Sequence, residues 1–102
     1  MNRQGFLTML GFAQKAGKLA AGEAQVENFL KKDKIALLIA SEELSENRMN
    51  FWTRQAAFYN VPFVTVNIEK LDLGWAIGSS PKAIIGVMDQ KMAEAVRKKI
   101  EE

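Results

Sequence analysis

The sequence predicts an α/β sandwich in which helices cover both faces of a small four-stranded mixed sheet. Two patterns predict it. Helical and strand periodicities alternate strictly along the chain, the order expected when helices pack on both sides of a sheet. The run IALLIA at 35–40 has no polar alternation, which suits a strand covered on both faces. The 102 residues are one domain's worth, read here as a single unit over 1–102, and a hydrophobic share of 48 % supplies a core.

The elements follow in order. Phe6, Leu7, Leu10 and Ala13 recur at helical spacing over 3–16, and Gly17 is a helix stop. Leu19 to Ala21 reads as a very short strand, broken by Gly22. Val26, Phe29 and Leu30 then share one helical face while Glu27, Asn28, Lys31 and Lys32 face water. Asp33 and Lys34 turn the chain into the strand at Ile35 to Ala40. Ser45 or Ser41 caps the next helix, whose buried stripe is Met49, Trp52, Ala56 and Tyr59. Phe51, Gln55 and Phe58 flank that stripe. Asn60 suits a left-handed helix end, and Pro62 blocks continuation. The β-branched stretch VPFVTVN is the third strand. Residues 69–77 form a short helix with Leu73 and Ile77 inward and Gly78 as its stop. AIIGVMD is the last strand. Asp89 caps a final helix with Met92, Val96 and Ile100 inward, and Glu94–Lys98 and Arg97–Glu101 are spaced to pair.

Composition excludes several chemistries. The chain has no cysteine, hence no disulfide and no thiolate metal site. It has no histidine, which removes the usual general base, the usual zinc ligand and a Ser-His triad. An enzyme here would depend on carboxylates, lysines or Tyr59, and no cofactor or metal is expected. The net charge of +2 is compatible with nucleic acid without requiring it. The opening MNRQGFLTMLGF is too short and polar for a secretory segment, and no apolar run approaches the ~20 residues of a membrane span. The expectation is a cytoplasmic protein with no membrane partner.

Four clusters and the tryptophans are candidates for chemistry. The turn AAGEAQ places Gly22 before a helix, where free amides favour an anion; the alternative is a glycine supplying positive φ in a tight turn. The loop GSSPK offers Ser79, Ser80 and Lys82 to a phosphate backbone, or is ordinary turn chemistry around Pro81. Lys15, Lys18, Lys31, Lys32 and Lys34 form either an RNA collar or a solvated face, with Glu23, Glu27 and Asp33 interleaved. Glu42, Glu43 and Glu46 follow a strand, where active sites of α/β proteins often lie, but read better as a helix start favoured by its dipole. Trp52 falls in a buried stripe. Trp75 lies across its helix from Leu73 and Ile77 and suits an exposed, interface position.

Taken together, AGKLAAGEAQ, IALLIASE, VPFVTV, LGWAIG and AIIGVMD resemble the kink-turn RNA-binding ribosomal protein family, large-subunit ribosomal protein seven Ae and its relatives. The joint order of G-K-x-x-x-G and L-G-x-A-x-G carries the resemblance, which extends over almost the whole chain and is strongest to the small bacterial YlxQ-type members. It implies a three-layer α-β-α sandwich that binds structured RNA, ribosomal RNA among the candidates, within ribosomes or ribonucleoproteins, with no DNA expected. It also implies contact sites at Gly22, Glu23, Ala24 and Gln25, where the family reads the guanines of a kinked backbone, and at Ser79, Ser80, Pro81 and Lys82, where it covers a flipped-out nucleotide. Many members read K-K-G-T-N-E at the first site. Here Ala20 and Ala21 replace the lysines, Ala24 the guanine-reading asparagine, Gln25 the glutamate and Asn28 a later lysine, while Glu23 adds a repelling charge.

The resulting expectation is a non-catalytic protein that recognises kink-turn-like RNA through the turn at Gly22 and the loop at 78–82. The alternative is a protein-interaction or dimeric adaptor module on the same fold, with Trp75 and Phe51 at its interface and self-association open. An enzyme built on the acidic cluster is the third reading.

Overall fold

The computed structural model describes residues 1–102. Along the chain run α1 (Arg3–Lys15), β1 (Leu19–Ala21), α2 (Glu23–Lys31), β2 (Leu37–Ser41), α3 (Glu46–Tyr59), β3 (Phe63–Val66), α4 (Lys70–Ala76), β4 (Ile84–Val87) and α5 (Gln90–Glu101). The strands form one sheet in the order β1-β4-β2-β3. β2 and β3 are parallel, while β4 runs antiparallel to both β1 and β2. The expected α-β-α sandwich with a four-stranded mixed sheet is therefore the architecture found.

The side-chain alternation of the central strands divides the core in two. Leu37, Ile39, Ile85 and Val87 point to one face and meet Phe6 and Leu10 of α1, Leu73 of α4 and Val96 of α5. Leu38, Ala40 and Ile84 point to the other and meet Val26 and Leu30 of α2 and Trp52 and Ala56 of α3. Both faces are covered, which is why β2 reads as an unbroken apolar run.

The ends of the elements follow their local chemistry. Ser45 accepts a hydrogen bond from the Arg48 amide at 3.2 Å and Asp89 one from the Met92 amide at 2.9 Å, capping α3 and α5. Asn60 closes α3 in the left-handed region at φ 57°. Gly17 and Gly78 take φ 71° and 69° after α1 and α4.

Three local expectations are corrected. The second strand begins at Leu37, not Ile35, and includes Ser41. Ile35 instead lies over Gly86, whose missing side chain leaves that space, and Ala36 donates to the Val87 carbonyl at 2.7 Å. Ser41 is fully buried and caps no helix: its hydroxyl donates to the Ile68 carbonyl at 2.7 Å and accepts from the Glu43 amide at 3.1 Å. The pairs Glu94–Lys98 and Arg97–Glu101 do not form; the last turn of α5 carries Lys99–Glu102 at 3.3 Å instead. No helix is long and apolar enough to cross a membrane.

Candidate nucleic-acid interface

The turn into α2 is built around Gly22, which has φ 87° and ψ 157°. That region is open to glycine and strained for any other residue. The local reading of Gly22 as a positive-φ turn residue is thus correct, and the position also leaves a surface. The atoms nearest a Cβ added there all belong to the Lys82 side chain, at 3.6 to 3.9 Å, so Lys82 lies across the bare Gly22 backbone. Strand pairing sets this up, because the Gly22 amide donates to the Ile84 carbonyl at 2.9 Å and brings the start of β4 alongside the turn. The Lys82 ammonium donates to the Ser80 hydroxyl at 3.1 Å. Two segments sixty residues apart in sequence become one surface.

Glycine offers no side-chain acceptor to the first turn of α2, so its N-terminal amides are left uncapped. Gln25 reaches back, and its carboxamide oxygen accepts from the Ala21 amide at 3.1 Å. One lone pair of that oxygen is therefore engaged, and the other, with the NH₂ group, remains for a ligand. Ala24, Asn28 and Lys31 continue from the turn along one outer face of α2, which they share with Glu23 and Glu27. On that face Lys31 pairs with Glu27 at 3.1 Å.

Glu23 does not present a free repelling charge, which corrects the sequence expectation. Its Oε1 accepts from Trp52 Nε1 at 2.6 Å and from Arg48 Nε at 2.8 Å, and Arg48 Nη2 approaches to 2.8 Å. Partial burial pushes the Glu23 carboxyl pKa up, but the hydrogen bonds from Trp52 and Arg48 and the Arg48 charge outweigh it, and the net shift is downward. The Arg48 guanidinium rests 4.2 Å from the Phe51 ring centre, and Phe51 meets Trp52 edge to face at 5.1 Å. Trp52 itself is fully buried. A buried indole, an arginine and an aromatic ring thus fix the first residue of α2. Sequence reasoning missed Arg48, whose partner lies 25 residues away with no local signal.

The loop of 79–82 is fixed by α4. A side chain at Gly74 would collide with the Ser80 backbone, and the Ser79 amide donates to the Gly74 carbonyl at 2.8 Å. The glycine in L-G-W-A-I-G thus permits the close approach that places Ser79, Ser80, Pro81 and Lys82. The Lys82 amide also donates to the Lys70 carbonyl at 3.0 Å.

The remaining lysines do not gather at this turn. Lys18 precedes β1 at the opposite end of the strand, ~13 Å from Gly22 at 3.3 Å per residue, and shares a cleft with Lys34 and Met88. Lys32 lies ~15 Å along α2 and faces the Phe29 ring at 5.8 Å. Lys15 lies in a groove between α1 and α4 with Trp75. Of the expected collar, only Lys31 shares the α2 face beside Gly22. The acidic cluster does not converge on a metal-sized site. Glu43 instead accepts from the Lys70 amide at 2.6 Å, and Glu46 sits in the first turn of α3.

No family model matches the chain. Two curated relatives, both named RNA-binding protein YlxQ, match it almost throughout. That of Enterococcus faecium is 26 % identical over 100 residues, covering 98 % of this chain and 95 % of the relative. That of Bacillus subtilis strain 168 is 28 % identical over 93 residues, covering 91 % and 92 %. Among solved structures, a Bacillus halodurans protein of unknown function is 28 % identical with a TM-score of 0.87, covering 95 % of this chain and 97 % of that one. The Giardia lamblia 15.5kD RNA binding protein, 14 % identical over 97 % of this chain and 84 % of its own, shares the fold with a TM-score of 0.76.

Proposed function

We propose that this chain, a homologue of the YlxQ-named proteins within the kink-turn RNA-binding ribosomal protein family, is a non-catalytic RNA-binding protein. It recognises sharply bent, structured RNA through the Gly22 turn and the 78–82 loop. The observation that carries this reading is Lys82 lying across the Gly22 backbone. That contact joins an uncapped helix N-terminus, a lysine and the Ser80 hydroxyl into one anion-accepting surface. The names of the two relatives, RNA-binding protein YlxQ, support RNA as the class of partner.

On this reading a kinked phosphate backbone lies over Gly22 and meets the α2 amides. Lys82 swings from Ser80 to a phosphate, and Ser79 to Pro81 cover an unstacked nucleotide. Glu23, neutralised by Arg48, shapes the turn without repelling the strand. Ala24 supplies no hydrogen bond to a base, so discrimination among RNAs rests on shape and on Gln25 and Asn28. Each bidentate base contact that is missing removes about 1–3 kcal/mol of discrimination.

The test is a titration of isotopically labelled protein with a kink-turn hairpin and with a straight duplex of the same composition. Amide shifts at Glu23 to Gln25 and at Ser79 to Lys82, larger for the hairpin, are expected. Lys82→Gln should weaken binding and lower the salt slope by about one. A hairpin that shifts neither segment sinks the proposal. Substituting Gly22 is a poor probe, because its φ makes any variant strain the turn whether or not RNA docks there.

A further inference from the structure

A second groove, of about 590 Å³, runs between α1 and α4. Its walls carry Leu7, Phe12 and Lys15 from α1 and Trp75 from α4, and Arg3 and Asp72 line it as well. Trp75 is 80 % exposed and Phe12 54 % exposed. Leu71, four residues before Trp75 on the same helical face, is 52 % exposed. Of the five large apolar side chains that this protein leaves exposed, Phe12 and Trp75 line this groove, and Leu71 adjoins Trp75 on α4.

The charges single out an occupant. Arg3 is held by Asp72 at 2.8 Å, so those two groups offset each other. Lys15 has no acidic partner and is the unmatched charge of the groove. Two exposed aromatic faces beside a free ammonium match a nucleotide, whose base stacks and whose phosphate carries the opposite charge. A purely apolar peptide would leave that lysine unused. The groove is tied to the surface at Gly22 through α4 and the loop that follows it. Trp75 follows Gly74, on which Ser80 packs, and its carbonyl accepts from the Gly78 amide at 3.1 Å. One short segment therefore carries both Trp75 and Lys82.

We propose that this groove takes unpaired nucleotides of a strand extending from the folded RNA held at Gly22 and Lys82. Bases stack on Trp75 and Phe12, and a phosphate meets Lys15. The inference rests on the RNA-binding reading above, and gives Lys15 a role separate from the α2 turn.

The experiment compares a bare kink-turn hairpin with the same hairpin carrying a single-stranded extension of roughly six nucleotides, placed in turn at each end. Binding is followed by an RNA label and by tryptophan emission. Because Trp52 is buried and Trp75 exposed, contact quenching reports Trp75. In the wild type one extension should tighten binding about tenfold and quench emission. Trp75→Leu should abolish that gain while leaving bare-hairpin affinity unchanged. Lys15→Gln should reduce the gain and its salt dependence. If the bare hairpin binds and neither extension adds affinity or quenching, the groove inference is overturned and the RNA reading stands. If neither RNA binds, both fall. A sedimenting dimer that Trp75→Leu dissolves, with any extension gain intact, would also overturn the inference and make the groove a contact between copies.

Discussion

The two flanks of the Gly22 turn are built in opposite ways. On the α3 side, Glu23 is gripped by Trp52 and Arg48 through bonds of 2.6 and 2.8 Å over a fully buried indole. On the β4 side, one flexible lysine crosses the glycine and touches a serine hydroxyl at 3.1 Å, with no acidic partner. The first flank holds the turn in place; the second is adaptable and leaves its charge to be claimed by a ligand. The contrast separates residues that maintain the proposed site from those proposed to contact a ligand, and variants on the two flanks should fail differently.

The largest effect is expected from Trp52→Ala, which empties a core position and removes one of the Glu23 carboxylate's donors, leaving Arg48 as its partner. It should cost about 3–5 kcal/mol in denaturant unfolding. A loss under about 1 kcal/mol would mean that the indole is not the prop proposed. Gly22→Ala comes next, at about 1–3 kcal/mol, because it forces a side chain into φ 87°. Its cost should persist without RNA, marking Gly22 as part of the fixed flank as well as of the proposed contact surface.

Acid should loosen the fixed flank alone. The Glu23 pKa lies below its unfolded value, so its contribution is fully present above the ordinary carboxylate pKa and is lost as pH falls through the folded value. Glu23→Gln should therefore be less stable than wild type near neutrality, with the gap closing in thermal melts as pH falls through that window. Because both side chains are about two-fifths exposed, the gap should be small, about 0.2–1 kcal/mol. A gap that widens in acid would refute the assignment.

The smallest stability effects belong to the adaptable flank. Lys82→Gln and Ala24→Asn should each move stability by no more than about 0.5 kcal/mol. On the proposed reading their effects on hairpin affinity should be of opposite sign, weaker for Lys82→Gln and tighter for Ala24→Asn, which restores the asparagine that the family resemblance implies at this position. If Lys82→Gln destabilises the fold as much as Gly22→Ala, the contrast between flanks disappears.

The architecture was legible because it depends on local patterns. Leu10 and Ala13, the IALLIA run, Asn60 before Pro62 and the Asp89 cap each announce their element within a few residues. The start of β2 was misplaced because an apolar residue such as Ile35 is buried equally well just outside a strand. The unformed pairs of α5 show that i,i+4 spacing permits a contact without enforcing it. The site was only half legible. Gly22 stands out in sequence, but Lys82 over it and Arg48 beside it are brought there by strand pairing and helix packing. No short-range signal could have shown that Glu23 is neutralised.

The Gln25 bond has a consequence beyond the turn. β1 is an outer strand of only three residues, and its Ala21 amide is occupied by that carboxamide. A foreign strand finds little there to zip onto. The opposite border, Phe63–Val66, carries no side-chain hydrogen bond to its backbone and is preceded by Pro62. Under concentration or partial heating, cross-β growth should begin from that border, and a lysine at the exposed Thr65 should delay it.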